Sequence, residues 1–125
     1  TTLFRSRDTS IDGKAIKEGD IMGIGDHGIL AVGSEIRKTR PAVIISNDAA
    51  NRHLARVVVV PVTSSTGRQY PGEAVVHVGG QLSKAMADQI MAADKSRLKT
   101  RLDTLSRADM LAIEDAIKVH LAFSR

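Results

Sequence analysis

Arg56-Val57-Val58-Val59-Val60-Pro61-Val62-Thr63 is the most strand-prone stretch of this 125-residue chain. Branched side chains suit a pleated surface, and a continuous apolar run predicts a strand covered on both faces. Before it, Ala42-Val43-Ile44-Ile45 predicts a second buried strand. Pro41 can open that strand, because proline has no N–H to give to a ladder. Asn47-Asp48-Ala49-Ala50-Asn51 between the two predicts a loop, since Asn and Asp side chains compete for local backbone groups. Further upstream, Gly19-Asp20 opens a glycine-weakened strand, Ile21-Met22-Gly23-Ile24. A turn at Asp26-His27-Gly28, a short strand or extended segment at Ile29-Leu30-Ala31-Val32 and a basic loop over 33–39 follow.

Downstream, residues 64–72 predict a loop and residues 73–78 a strand, with a turn at Gly79-Gly80. Residues 83–93 mix helix-favouring Ala and Met with a short length among strands, and both assignments stay open. Residues 98–105 alternate. The end of the chain reads clearly as a helix: Ser106 and Asp109 form a capping box, and Met110, Ile113, Ile117 and Leu121 recur as one apolar stripe. Residues 1–18 read as a polar extension with an Asp12-Gly13 turn, and residues 19–125 as one domain. The fold class expected is α+β, mainly β: a small barrel of short strands with a C-terminal helix.

Eighteen Lys and Arg against fourteen Asp and Glu give a net charge of +4, which favours a polyanionic partner such as nucleic acid. Phe4, Tyr70 and Phe123 are the only aromatic side chains, so RNA would be held by charge, hydrogen bonds and shape rather than by stacking. The absence of cysteine excludes disulfides and thiolate metal sites and fits a reducing cytoplasm. No apolar run reaches the roughly 20 residues of a membrane span. The first ten residues are too polar for a secretory signal.

Gly23-x-Gly25-x-x-Gly28 matches a dinucleotide fingerprint, but that motif works only where a strand leads into a helix, and no helical pattern follows. His27, His53, His77 and His120 lack metal-ligand spacing, and no nucleophile elbow is present. No metal and no cofactor is expected. What remains is a set of polar residues at strand edges: Arg37, Lys38 and Arg40 before one strand, Thr63 and Ser64 where another stops, and Asp88 with Gln89 inside an apolar stretch.

Several ordered segments resemble the MazF/PemK toxins. They are Gly19-Asp20-Ile21; Gly33-Ser34-Glu35; Arg40-Pro41-Ala42-Val43-Ile44-Ile45; Asn47-Asp48-Ala49-Ala50-Asn51-Arg52; Val60-Pro61-Val62-Thr63-Ser64; and Asp88-Gln89-Ile90 with Asp94-Lys95-Ser96-Arg97-Leu98. The resemblance spans about residues 19–123. It implies an SH3-like barrel of the CcdB/PemK type, usually a homodimer. The implied activity is metal-independent cleavage of single-stranded RNA in a type II toxin–antitoxin pair, arresting growth by blocking translation. A cognate antitoxin would block the RNA groove. The family's key arginine falls on Arg40 and its key hydroxyl on Thr63; the aspartate of the PemK branch falls on Asp88. Glu35 and Gln89 match groove positions, and Asn51 and Ser64, in the matching segments, are expected to bind RNA as well, as is His27. Ser34 and Met86 depart from the histidine and arginine of the PemK branch, so the Arg/Thr pair is the firmer mapping.

RNA carries its own nucleophile in the 2′-hydroxyl, so a protein need only align it and stabilise the charge that grows on phosphate. Arg40 can fork onto the scissile phosphate, Thr63 can donate to it, and Arg37, Lys38 and Arg52 can hold flanking phosphates. The products would be a 2′,3′-cyclic phosphate and a 5′-hydroxyl. Arginine holds its proton too tightly to be a good base. Asp88, if buried, or His27, if its turn covers the groove, could serve instead. Two other readings are compatible with the residues: a CcdB-like gyrase poison on the same barrel, and an antitoxin-binding toxin without activity.

Overall fold

The computed structural model describes residues 10–25 and 39–123. The turn expected at Asp26-His27-Gly28, the strand at 29–32 and the loop positions 33–38 lie outside these residues. Two short strands, β1 (Ser10–Ile11) and β2 (Lys14–Ala15), form a hairpin. A main antiparallel sheet follows. It comprises β3 (Asp20–Gly25), β4 (Thr39–Ile44), β5 (Arg56–Thr63), β6 (Glu73–Val78), β7 (Gln81–Met86), β8 (Met91–Asp94) and β9 (Leu98–Thr104). Helix α1 (Asp48–His53) connects β4 to β5, and α2 (Arg107–Leu121) closes the described chain.

The sheet order is β6-β7-β5-β4-β3-β9, and β8 pairs with β5. The far half of β5 pairs with β7, at Val62↔Ala85, and the near half with β8, at Val57↔Ala93. The two strands share one edge of β5 because a 3₁₀ turn, Ala87–Gln89, bends the chain between them. That bend explains the ambiguous pattern over 83–93: neither assignment fits the whole segment, because it is two strands with a break. The sheet curls into a half-barrel. Its two ends approach where Gly79 N–H, in the β6–β7 turn, donates to the Asp103 carboxylate of β9 at 2.6 Å.

Both faces of the sheet are covered, as the valine run of β5 predicts. Ile21, Val43, Val60 and Val62 pack with Met110, Ile113 and Ala116 of α2. Met22, Ile24, Ala42, Ile44, Val57 and Val59 point the other way and pack with Ile16, Ala93 and Leu98. Successive side chains of a strand alternate faces, so one run of residues feeds two cores.

The helix α2 forms as its cap predicts: Ser106 Oγ accepts from Asp109 N at 3.1 Å. The reciprocal half of the capping box is absent. The buried Asp109 carboxylate turns outward instead to accept from His77 N at 2.8 Å and to meet His77 Nδ1 at 3.2 Å, pinning the helix to β6. Leu121, expected in the apolar stripe, is 43% exposed, while Ala116 fills the space against the sheet.

Two further expectations change. The segment 47–51 is not a loop: Asn47 caps α1, accepting from Ala50 N at 2.8 Å. The segment 10–18 is not a free extension. Ile16 is buried in the second core, and Arg101 of β9 holds the hairpin through the carbonyl oxygens of Ile11, Lys14 and Ala15. The Asp12-Gly13 and Gly79-Gly80 turns form as expected, with φ of 58° and 73° at the first and 57° and 80° at the second.

Candidate active-site groove

The ladder between β4 and β5 runs from Ile44↔Val59 to Ala42↔Pro61 and stops there. Pro41 and Pro61 sit at this end, and neither has an N–H to extend it. Counting two residues further along each strand sets Arg40 across from Thr63. Arg40 has the parity of Ala42 and Ile44, and Thr63 that of Val57 and Val59, so both belong to the same face of the sheet. They line one groove of about 870 Å³, with Ser64 and Gln89. Its apolar walls come from Pro41, Pro61, Met86, Met91 and Leu102. The arginine and the alcohol, 23 positions apart in the chain, are brought together by a single strand register.

Each side chain has a local reason for its place. Arg40 is exposed and makes no ion pair with another described residue. Thr63 Oγ1 accepts from Ser65 N at 3.1 Å, which fixes the rotamer and leaves the hydroxyl hydrogen to donate. Beside Thr63 in the register stands Lys84 of β7. Its ammonium donates to Arg68 O at 2.7 Å and meets Glu73 Oε1 at 3.2 Å. The Tyr70 N–H, and behind it the Lys84 ammonium, hold the Glu73 carboxyl below the usual carboxylate range. This knot ties the loop after Thr63 to the sheet.

Three expected site residues stand elsewhere. Asn51 is 2% exposed, and its amide is spent on Ser46: it accepts from Ser46 Oγ and donates to Ser46 O at 2.8 Å. Asn51 therefore anchors α1 and does not line the groove. Arg52 is exposed on α1, at the opposite end of β4 and β5 from the groove. Asp88 lies in the 3₁₀ turn next to Gln89, but it is exposed and does not line the groove. The burial on which its role as a base depended is absent. His27, Glu35, Arg37 and Lys38 lie outside the described residues.

One groove residue escaped the sequence reading. Arg97 ends the 3₁₀ turn Lys95–Arg97, lines the groove, and donates through Nε to Gly25 O at 3.1 Å. The motif Asp94-Lys95-Ser96-Arg97-Leu98 contained it, but its access to the groove depends on β9 pairing with β3, 72 residues away. Among the described residues lining the groove, Arg40 and Arg97 are the charged ones, and none is a carboxylate or histidine. No three His, Cys, Asp or Glu side chains cluster among the described residues in a way that could hold a metal, and no described helix is long and apolar enough to cross a membrane. Two arginines and a positioned hydroxyl, with no carboxylate among the described lining residues, are suited to a phosphodiester.

Residues 17–121 match the family of PemK-like, MazF-like toxins of type II toxin–antitoxin systems. The chain is 37% identical over 100 residues to the endoribonuclease MazF9 of Mycobacterium tuberculosis, covering 73% of this chain and 85% of the relative. It is 36% identical over 97 residues to an endoribonuclease MazF of Staphylococcus saprophyticus, covering 71% and 78%. A solved endoribonuclease in complex with its cognate antitoxin, from a mycobacterial species, superposes with a TM-score of 0.72 at 28% identity, over 89% of this chain and 99% of that one. A family match across most of the chain, curated relatives above 30% identity and a shared fold agree: this chain belongs to the PemK-like, MazF-like toxins of type II toxin–antitoxin systems.

Proposed function

We propose that this chain is the toxin of a type II toxin–antitoxin pair and acts as a metal-independent endoribonuclease on single-stranded RNA in the cytoplasm, arresting growth by cutting messages. The observation that carries the reading is the convergence of Arg40 and Thr63 on one groove from two strand ends. The curated relatives of this chain are named endoribonucleases, and a similar solved protein is held in complex with its cognate antitoxin. The expected partners are RNA, a cognate antitoxin that covers the groove, and a second copy of the chain.

The chemistry follows from what the groove offers. The 2′-hydroxyl attacks the adjacent phosphorus, the bond to the 5′-oxygen breaks, and a 2′,3′-cyclic phosphate and a 5′-hydroxyl result. Arg40 stabilises the negative charge that grows on the phosphate oxygens, with a planar fork that matches them. Thr63, its oxygen tethered by Ser65 N–H, donates its hydrogen to the same phosphate and helps set the line of attack. What the described groove-lining residues supply is positioning and electrostatics; none of them is an ordinary general base.

The test is cleavage of a mixed-sequence single-stranded RNA in excess EDTA by wild type, Arg40→Ala and Thr63→Ala, with product ends identified. Arg40→Ala should lose about 10²-fold or more, the scale of deleting one charge-stabilising donor. Thr63→Ala should lose somewhat less. Equal cutting by all three folded proteins removes the site. Binding without cutting by wild type favours the gyrase-poison or inactive-toxin readings instead.

A further inference from the structure

We propose that Arg97 is a second RNA-gripping residue, which holds the phosphate next to the one engaged by Arg40 and so positions the strand for cleavage; the inference rests on the endoribonuclease reading above. Its first support is the anchoring of the side chain. Arg97 is half-buried, and its Nε donates to Gly25 O at 3.1 Å, backing the guanidinium against the end of β3. Nε is thereby spent, and the two terminal nitrogens remain for a ligand. A guanidinium held in advance loses less freedom on binding than a solvated one.

Its second support is the absence of a competing partner. No carboxylate among the described residues forms an ion pair with Arg97. A purely structural tie between β9 and β3 would need only the single Nε bond. The unspent positive charge faces a groove whose other charged described residue is also an arginine. Two cations on one groove, with no carboxylate among the described residues that line it, suit a ligand with more than one negative group.

The third support is spacing. Strand β3 lies between β4 and β9, and Ile24 faces Arg40 on one side and Leu98 on the other. Arg40 and the start of β9 are therefore two strand spacings apart, about 10 Å between backbones. That separation suits two neighbouring phosphates of one strand better than a joint grip on one. Arg97 is thus a binding and positioning residue, and its loss should act on KM rather than on kcat.

The experiment uses a fluorescent single-stranded oligonucleotide with 2′-O-methyl riboses, which binds but cannot be cut, together with its cleavable RNA counterpart. For Arg97→Gln, binding should weaken about tenfold at low salt. The slope of log affinity against log salt should become shallower by about 0.7, the value of one single-strand phosphate contact. KM for the cleavable RNA should rise while kcat stays within about threefold. Arg97→Lys should keep the salt slope, because the charge remains, and recover part of the affinity. Should Arg97→Gln fail to fold, the wild type still decides: the Arg97 side-chain N–H resonances should shift on titration with the methylated strand. An unchanged salt slope in folded Arg97→Gln, or silent Arg97 resonances while those of Arg40 move, overturns the assignment and leaves the endoribonuclease reading standing. A wild type that neither binds nor cuts these strands overturns both.

Discussion

Replacing Arg101 by methionine should destabilise the domain by roughly 4 kcal/mol without touching the groove. Arg101 Nη1 donates to Asp20 Oδ2 at 2.7 Å, with the two side chains 15% and 7% exposed. The Asp20 carboxylate also accepts from Lys17 N at 2.9 Å and Thr104 Oγ1 at 3.2 Å, so it is held in place whether or not the cation is there. Removing the arginine leaves a buried charge uncompensated, at about 3–5 kcal/mol. The Nη2 group faces the carbonyls of Ile11, Lys14 and Ala15 at 3.1–3.2 Å, but its two hydrogens can serve only two of the three at once, for about 1 kcal/mol each. Arg101 Nε is buried with no partner among the described residues, and its removal gives back about 1–3 kcal/mol. The balance stays near 4. In urea the midpoint should fall by about 2 M at an m-value near 2 kcal/mol/M. Amides of residues 10–15 should lose hydrogen-exchange protection first. Asp20→Asn in the Arg101→Met background should recover about half of the loss, because the stranded charge is gone. A single-variant cost below about 1 kcal/mol, or strict additivity of the two changes, would refute the clamp.

Three further outcomes follow from the packing. Ser106→Ala should cost about 1 kcal/mol in thermal or urea melts; Asp109→Asn should cost about 1.5–3 kcal/mol, since its carboxylate also holds His77 N–H. Gly23→Ala should cost about 1–3 kcal/mol, because an added Cβ would sit 2.5 Å from Thr39 Cγ2 and 3.1 Å from Thr100 Oγ1; Thr39→Ser, which removes the nearer methyl, should restore much of it, and no restoration would point to a different clash. Acid should weaken the fold through Asp103 and Glu73. Hydrogen bonds from Gly79 N–H, then Thr104 N–H, hold Asp103 below its ordinary 3.8, and the Tyr70 N–H, then Lys84, holds Glu73 below 4.5. A carboxyl whose folded value lies below its unfolded one stabilises fully above the unfolded value. That contribution is lost as pH falls through the folded value. Stability should therefore be flat in these two groups above pH 4.5 and decline below it, the Glu73 contribution fading below 4.5 and the Asp103 contribution below 3.8, and Asp103→Asn should shallow the decline in acid melts.

The residues of the groove show why part of the site was legible and part was not. Arg40 and Thr63 lie at the ends of strongly apolar runs, where the branched residues alone mark a strand end. Asn51 sat in an equally recognisable segment, yet it is buried against Ser46 inside a six-residue helix too short to show a period. Arg97 stands in the Asp94–Leu98 segment, but its place at the groove comes only with the bond to Gly25, on a strand far away in the chain. Asp88 and Gln89 are neighbours, and only the second lines the groove, because the 3₁₀ turn sends adjacent side chains in different directions.

By itself the amino-acid order determined what depends on near neighbours. It set the strand at Arg56–Thr63 from its branched residues, the turns at Asp12-Gly13 and Gly79-Gly80 from their tolerance of positive φ, and the start of the last helix from the Ser106 hydroxyl. Only the tertiary structure decided which strands meet, that two prolines end the β4–β5 ladder and let Arg40 and Thr63 share a groove, and that Arg101 draws the first hairpin into the domain. The physical reason is the range of the forces: backbone sterics and capping bonds act within a few residues, whereas register and burial are settled only when segments far apart in the chain compete for the same partner.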